Sequence, residues 1–280
     1  NALNGEFVKT ILEETNDKWV EPEHAAYLHC ETKNNFIWMS EQDGFMNLYY
    51  YDFDGNLIDQ ISDHNFVVKD IIGLSKDEKH FYYSATGPNP MNTLIYDYNV
   101  KNKKSKLLTL KQGTHSVKIC DNNNYYFDTY SNAETPRNTL IYASSGKMAK
   151  LLINAEDKLD AYQIATTEIG TIENKAGDIL YYRMIKPSNF DASKKYPVLN
   201  YVYGGPHAQL VTNSWLNGAS LWMHWMAEQG YIIFTLDNRG SGNRGFAFES
   251  QIHRQLGTVE IEDQMTGVEF LKRLPYVDTK

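Results

Sequence analysis

The chain has 280 residues, of which 22% are charged and 13% aromatic, with a net charge of −8. That length allows one large domain or two ordinary ones with a sizeable core, and the ordinary charge content excludes a disordered chain. The acidic balance leaves no basic face for nucleic acid or an anionic membrane, and no stretch reaches the roughly 18 apolar residues of a membrane span.

Residues 19 to about 155 carry an internal repeat. Phe36-Ile-Trp-Met-Ser40 and Asn47-Leu-Tyr-Tyr-Tyr-Asp52 pair across a polar loop. Phe81-Tyr-Tyr-Ser84 with Asn92-Thr-Leu-Ile-Tyr-Asp97, and Tyr125-Tyr-Phe-Asp-Thr129 with Asn138-Thr-Leu-Ile-Tyr142, do the same. Aligning Asn47, Asn92 and Asn138 also aligns Tyr51, Tyr96 and Tyr142, giving periods of 45 and 46. A third run follows each pair after a tight polar turn, at 57–61, 106–110 and 148–153. A four-stranded sheet repeated every ~40–50 residues is the signature of a β-propeller blade. An unrelated meander with evenly spaced hairpins is the alternative, and three in-register copies favour the propeller. Closed propellers need about four blades or more, so further blades are expected upstream, or an abnormal closure.

Around this repeat, Trp19 to His24 reads as the loop entering the first blade, and Glu13-Glu14 as the cap of a strand end. The basic run from Lys101 to Lys106 reads as a solvated hairpin tip. Cys30 and Cys120 match no metal or redox spacing and read as buried free thiols.

The pattern changes near residue 158, where a domain boundary is expected. Residues 162–168 and 179–185 alternate as paired strands, and 187–195 form a polar loop. Two apolar runs, 198–203 and 231–236, end in glycine-rich turns and flank a helical stretch at 215–229. This is the β-loop-α-β unit of a parallel sheet, with functional loops at the carboxyl ends of its strands. The second turn, Asp237 to Gly245, holds three glycines in a polar run, and 246–254 is a helix or an ordered loop. Thr258 then caps an amphipathic helix with Val259, Ile261, Met265, Val268, Phe270 and Leu271 facing inward. Glu260, Glu262 and Asp263 suit its start, Lys272 and Arg273 its end, and Pro275 stops it before a segment leading towards another strand.

Lys194-Lys-Tyr-Pro-Val198, Val202-Tyr-Gly-Gly-Pro206, Asp237-Asn-Arg-Gly-Ser-Gly242 and Leu256-Gly-Thr-Val-Glu-Ile-Glu-Asp-Gln264 occur in that order. The series resembles the prolyl oligopeptidase family of serine peptidases, and within it the dipeptidyl peptidase IV branch. The resemblance implies all-β propeller blades over 1–157, followed by the N-terminal part of an α/β-hydrolase domain over 158–280. It implies an exopeptidase that removes N-terminal dipeptides, of post-proline type, through an acyl-enzyme. Such enzymes use a Ser-Asp-His triad with the serine on a Gly-x-Ser-x-Gly elbow. Neither Ser220 nor Ser241 has glycine at both required positions. The triad is therefore expected beyond Lys280, and the chain reads as an interior fragment that is inactive alone.

The resemblance assigns Tyr203 to the oxyanion hole, where a phenol at a rigid strand end meets developing negative charge. Gly204 and Gly205 let the backbone turn beside it, Asp237 and Arg239 brace the loop, and His207 is a loop residue. Trp19 matches, loosely, a position where family members lend an aromatic residue to the substrate pocket, with core packing as the other reading. The glutamate pair that holds the substrate amine in this branch belongs to a blade outside this chain, and Glu13-Glu14 is not that pair. No cofactor and no metal are expected. Expected partners are a peptide substrate and, through exposed sheet edges, further copies of the chain as a homodimer or larger assembly. Family habit suggests a periplasmic or cell-envelope location, and low alanine with frequent Asn, Lys and Tyr fits many bacteria. The competing function is a non-catalytic propeller scaffold that binds peptides or partners.

Overall fold

The computed structural model describes residues 3–21, 27–29, 34–120, 124–162 and 164–279. Cys30 and His24 lie outside the described residues. The first half is three antiparallel four-stranded meanders. The first holds β1 (Tyr27–His29), β2 (Asn35–Ser40), β3 (Asn47–Asp52) and β4 (Leu57–Gln60). The second holds β5 (Val68–Leu74), β6 (His80–Ala85), β7 (Leu94–Asn99) and β8 (Lys104–Leu107). The third holds β9 (Thr114–Ile119), β10 (Tyr125–Ser131), β11 (Asn138–Ala143) and β12 (Met148–Ile153). These are propeller blades, and the period-2 alternation of strand side chains joins them face to face. Phe81 and Tyr83 of the second blade meet Ile37, Leu48 and Tyr50 of the first. Tyr82 and Ile95 point the other way, onto Val117 and Tyr126 of the third. Because both its faces are covered, the second blade reads as near-continuous apolar runs.

The structure corrects the register of the repeat. Leu48 and Ile95 are equivalent, since their carbonyls accept from Ile61 and Leu108. Ser40 pairs with Asn47, Ala85 with Leu94 and Tyr130 with Asn138, so the second-blade equivalent of Asn47 is Leu94, not Asn92. The cause is the β6–β7 loop, 86–93, which is two residues longer than 41–46 between β2 and β3. The first strands of the blades gave no repeat signal, and β8 begins earlier than the expected run at 106. The basic run does form the β7–β8 tip, where Lys103 reaches Asp59 at 3.2 Å and Lys106 reaches Asp97 at 3.3 Å. Cys120 is free but only half-buried.

The second half centres on β13 (Thr166–Glu173), β14 (Ile179–Lys186), β15 (Val198–Asn200) and β16 (Ile232–Asp237), in the order β13-β14-β16-β15. β15 and β16 are parallel and the other pairs antiparallel, which is the opening of an α/β-hydrolase sheet. β15 ends at Asn200 rather than at 203. Tyr201 donates once more to Phe234 O at 2.8 Å, and the chain then leaves the sheet.

The crossover is not one helix over 215–229. Leu216, Asn217 and Gly218 all have positive φ, which breaks Trp215–Gly218 off as a 3-10 turn before α1 (Leu221–Glu228). α2 (Phe246–Glu249) and a further 3-10 turn follow, then α3 (Val259–Lys272). Leu271 of α3 packs on Leu180, Phe234 and Leu236, but Ile261 and Met265 are about half exposed, against expectation, while Glu260 and Asp263 are buried. Thr258 stands at the N-cap, yet its hydroxyl donates to Gln255 O. The Glu260 carboxylate instead accepts from the amides of Gly257 and Thr258. Beyond α3, Val277 forms a parallel bridge with Tyr196 just ahead of β15.

Candidate active-site wall

Tyr203 lies three residues past β15, on the turn that follows that strand. It is 62% exposed, and its hydroxyl makes no hydrogen bond among the described residues. Gly204 takes φ +76, which a side chain would strain, and a Cβ at Gly205 would lie 3.0 Å from the Tyr203 ring. The turn is stitched to the one that ends β16. His207 N donates to Gly240 O at 3.2 Å and Gly242 N to Ala208 O at 3.3 Å. A Cβ at Gly242 would stand 2.7 Å from His207 O, so only glycine lets the two turns approach this closely.

Buried charge holds both turns. The Asp237 carboxylate accepts from the amides of Leu210 at 2.8 Å and Val211 at 3.0 Å, and burial pushes its pKa up to about 6. Arg183, wholly buried on β14, donates to Leu210 O at 2.7 Å and Asn217 O at 2.6 Å, and burial lowers its pKa to about 10. Arg239 is held against α3. Its Nε and Nη2 donate to Asp263 at 2.9 to 3.1 Å, and its amide also donates there at 2.8 Å. Asn174 fills the remaining valence of Asp263 at 2.9 Å. Asp237 and Arg239 are thus braces, as expected. Arg183 and Asp263 were missed. A mid-strand arginine flanked by Tyr182 and Met184 was the available sign of the first.

Trp19 sits on the seam between blades and hydrolase sheet, not in a blade core. Its ring meets His207 at 5.8 Å, Phe246 at 5.5 Å and His253 at 5.6 Å, all edge-on. Trp19, Pro206, His207, Ile252, His253 and Leu256 line a largely apolar cleft of about 440 Å³. On the other side of Trp19, Glu13, Glu14, Glu21 and Glu41 line a recess of about 260 Å³. No strand runs through 5–20, so Glu13-Glu14 caps none, contrary to expectation. Burial, with the charges of Glu249, Glu21 and Glu14, raises the Glu41 pKa to about 7. His207 Nδ1 approaches Glu249 at 3.5 Å and Glu21 at 3.7 Å. Among the described residues, no three His, Cys, Asp or Glu side chains could together hold a metal ion. Ser241 is buried in its turn and Ser220 precedes α1, and no hydrogen bond joins either to a histidine among the described residues.

Blades seated on the opening strands of this sheet define an α/β-hydrolase with a propeller domain. Residues 2–137 match the model of the dipeptidyl peptidase IV N-terminal region, and residues 218–280 that of the prolyl oligopeptidase family. Human dipeptidyl peptidase 8 is 26% identical over 310 residues, covering 96% of this chain and 34% of that protein. A solved Bacteroides ovatus structure, described as a dipeptidyl aminopeptidase IV, superposes with TM-score 0.87 at 37% identity, covering 94% of this chain and 40% of its own. Porphyromonas gingivalis dipeptidyl peptidase 4 superposes with TM-score 0.87 at 29% identity, covering 96% of this chain and 38% of its own. The chain belongs to the prolyl oligopeptidase family of peptidases, in its dipeptidyl peptidase IV branch. It spans about a third of the length of the curated relatives it matches.

Proposed function

We propose that the protein carrying this chain is a serine dipeptidyl peptidase that releases N-terminal dipeptides, of post-proline type, through an acyl-enzyme. In this reading 1–157 are propeller and 158–280 open the peptidase domain. Tyr203 donates the oxyanion-hole hydrogen bond, and the triad lies in further sequence. The observation that carries the reading is the state of Tyr203. Its hydroxyl has no hydrogen-bond partner among the described residues, while its turn is fixed by Asp237, Arg183 and Gly240. A free donor on a rigid support stabilises charge that develops only in the transition state. The relatives named dipeptidyl peptidase support the substrate class.

The sequence holds no Gly-x-Ser-x-Gly elbow, and among the described residues no histidine is hydrogen bonded to Ser220 or Ser241, so in this reading the chain alone supplies no nucleophile for acyl transfer. Incubation with a chromogenic dipeptide-amide should therefore give no turnover. Hydrolysis abolished by a serine-directed phosphonate would refute that part of the proposal.

A further inference from the structure

The stretch that follows Tyr203 is hydrogen bonded across the seam to the second blade. Gln209 Nε2 donates to Pro90 O at 3.0 Å. Asn213 uses three of its four polar groups here. Its amide donates to Met91 O at 2.8 Å and its Nδ2 to Asn92 Oδ1 at 2.8 Å. Its carbonyl accepts from Thr114 Oγ1 at 3.0 Å.

The receiving loop is itself fixed. Asn92 is 1% exposed and donates to Gln112 Oε1 at 2.6 Å, while Thr93 N donates to Gly113 O at 2.9 Å. The two extra residues of this loop are what free Asn92 for the role. Asn47 and Asn138, at true repeat positions, use their Oδ1 atoms inside their own blades, on Ser62, His64 and Ala155. Asn92 turns its Oδ1 to the hydrolase half instead.

We propose that Asn213, held by Asn92, Met91 and Thr114, is a positioning residue for Tyr203, so that the second blade helps to set the oxyanion geometry. The proposal rests on the oxyanion reading of Tyr203. Residues 204–212 run between Tyr203 and this anchor, and Asp237 grips that stretch midway at the amides of Leu210 and Val211. Ordinary inter-domain adhesion is the plainer reading, and magnitudes separate the two. Losing one side-chain bond lowers the Tm of a fold this size by only a few degrees, whereas a displacement of about 1 Å at a reacting centre can cost about 100-fold in rate. A positioning role therefore shows in kcat well before it shows in stability.

The test uses the full-length parent with a dipeptide-amide substrate. Asn213→Ala and Asn92→Ala remove the same bond from opposite sides, and Gln209→Ala is a third route should either fail to fold. Each of the asparagine variants should lower kcat about tenfold, with KM changed by less than about twofold and Tm by a few degrees at most. In a Tyr203→Phe background neither should lower kcat further, because the effect passes through that hydroxyl. If Tyr203→Phe lowers kcat and the asparagine variants do not, or if they lose the same factor in both backgrounds, the positioning role is overturned and the Tyr203 reading stands. If Tyr203→Phe leaves kcat unchanged, both fall.

Discussion

The second blade and the hydrolase sheet are both four-stranded and buried on two faces, yet different forces fix their parts. In the blade the fixed groups are rings. Tyr83 stacks on Tyr96 at 5.3 Å and Phe81 on Tyr98 at 6.2 Å, within one apolar cluster shared with the first blade. In the hydrolase half the apolar core of Leu180, Phe234 and Leu236 ends where the strands end. From there Asp237, Arg239, Arg183 and Asp263 take over, all less than 9% exposed. Rings supply area without direction, which suits a platform. Ions with several hydrogen bonds fix direction at a desolvation cost, and here they stand where loops must keep one shape beside Tyr203.

That contrast predicts unequal mutational costs. Asp263→Ala should destabilise the chain by about 3–5 kcal/mol in urea unfolding, because it leaves the Arg239 guanidinium buried with its main partner gone. A loss of under about 1 kcal/mol would break the comparison. Tyr83→Phe should cost only about 1 kcal/mol, since the ring and its stacking stay and only the bonds with His64 and Ser105 are lost.

Glu41 sharpens the contrast through pH. Its carboxyl titrates near 7 in the folded chain against an ordinary 4.5. Between those values the folded state holds a proton that the unfolded state has released, so stability falls as pH rises through the window. Glu41→Gln should flatten that slope by on the order of 1 kcal/mol, reduced by the partial exposure of the site. An unchanged slope in Tm against pH would remove Glu41 as the cause.

Most of the architecture was legible because it is periodic. Aromatic runs in pairs declared the blades, and two apolar runs ending in Tyr203-Gly-Gly-Pro206 and Asp237-Asn-Arg-Gly240 declared the parallel unit. What periodicity could not carry was lost. The two-residue extension before Leu94 slid Asn92 into a false repeat position, since a count along the chain cannot see loop length separately from strand register. Left-handed Leu216 and Asn217 broke a helix that looked continuous by composition. Arg183 and Asp263 were invisible as site braces for a common reason. Each is a charge in a regular element, which reads as solvent-facing unless its partner is known. The partners lie in loops 27 residues away for Leu210 and 24 for Arg239.

The account stands on Tyr203 being the oxyanion donor, and one substitution in the full-length parent tests that most directly. Tyr203→Phe keeps the ring and the turn and removes only the hydroxyl. We expect kcat for a dipeptide-amide to fall by about 10²–10³, the scale of one oxyanion-hole donor, with KM little changed. A kcat equal to that of the unsubstituted enzyme would contradict the account.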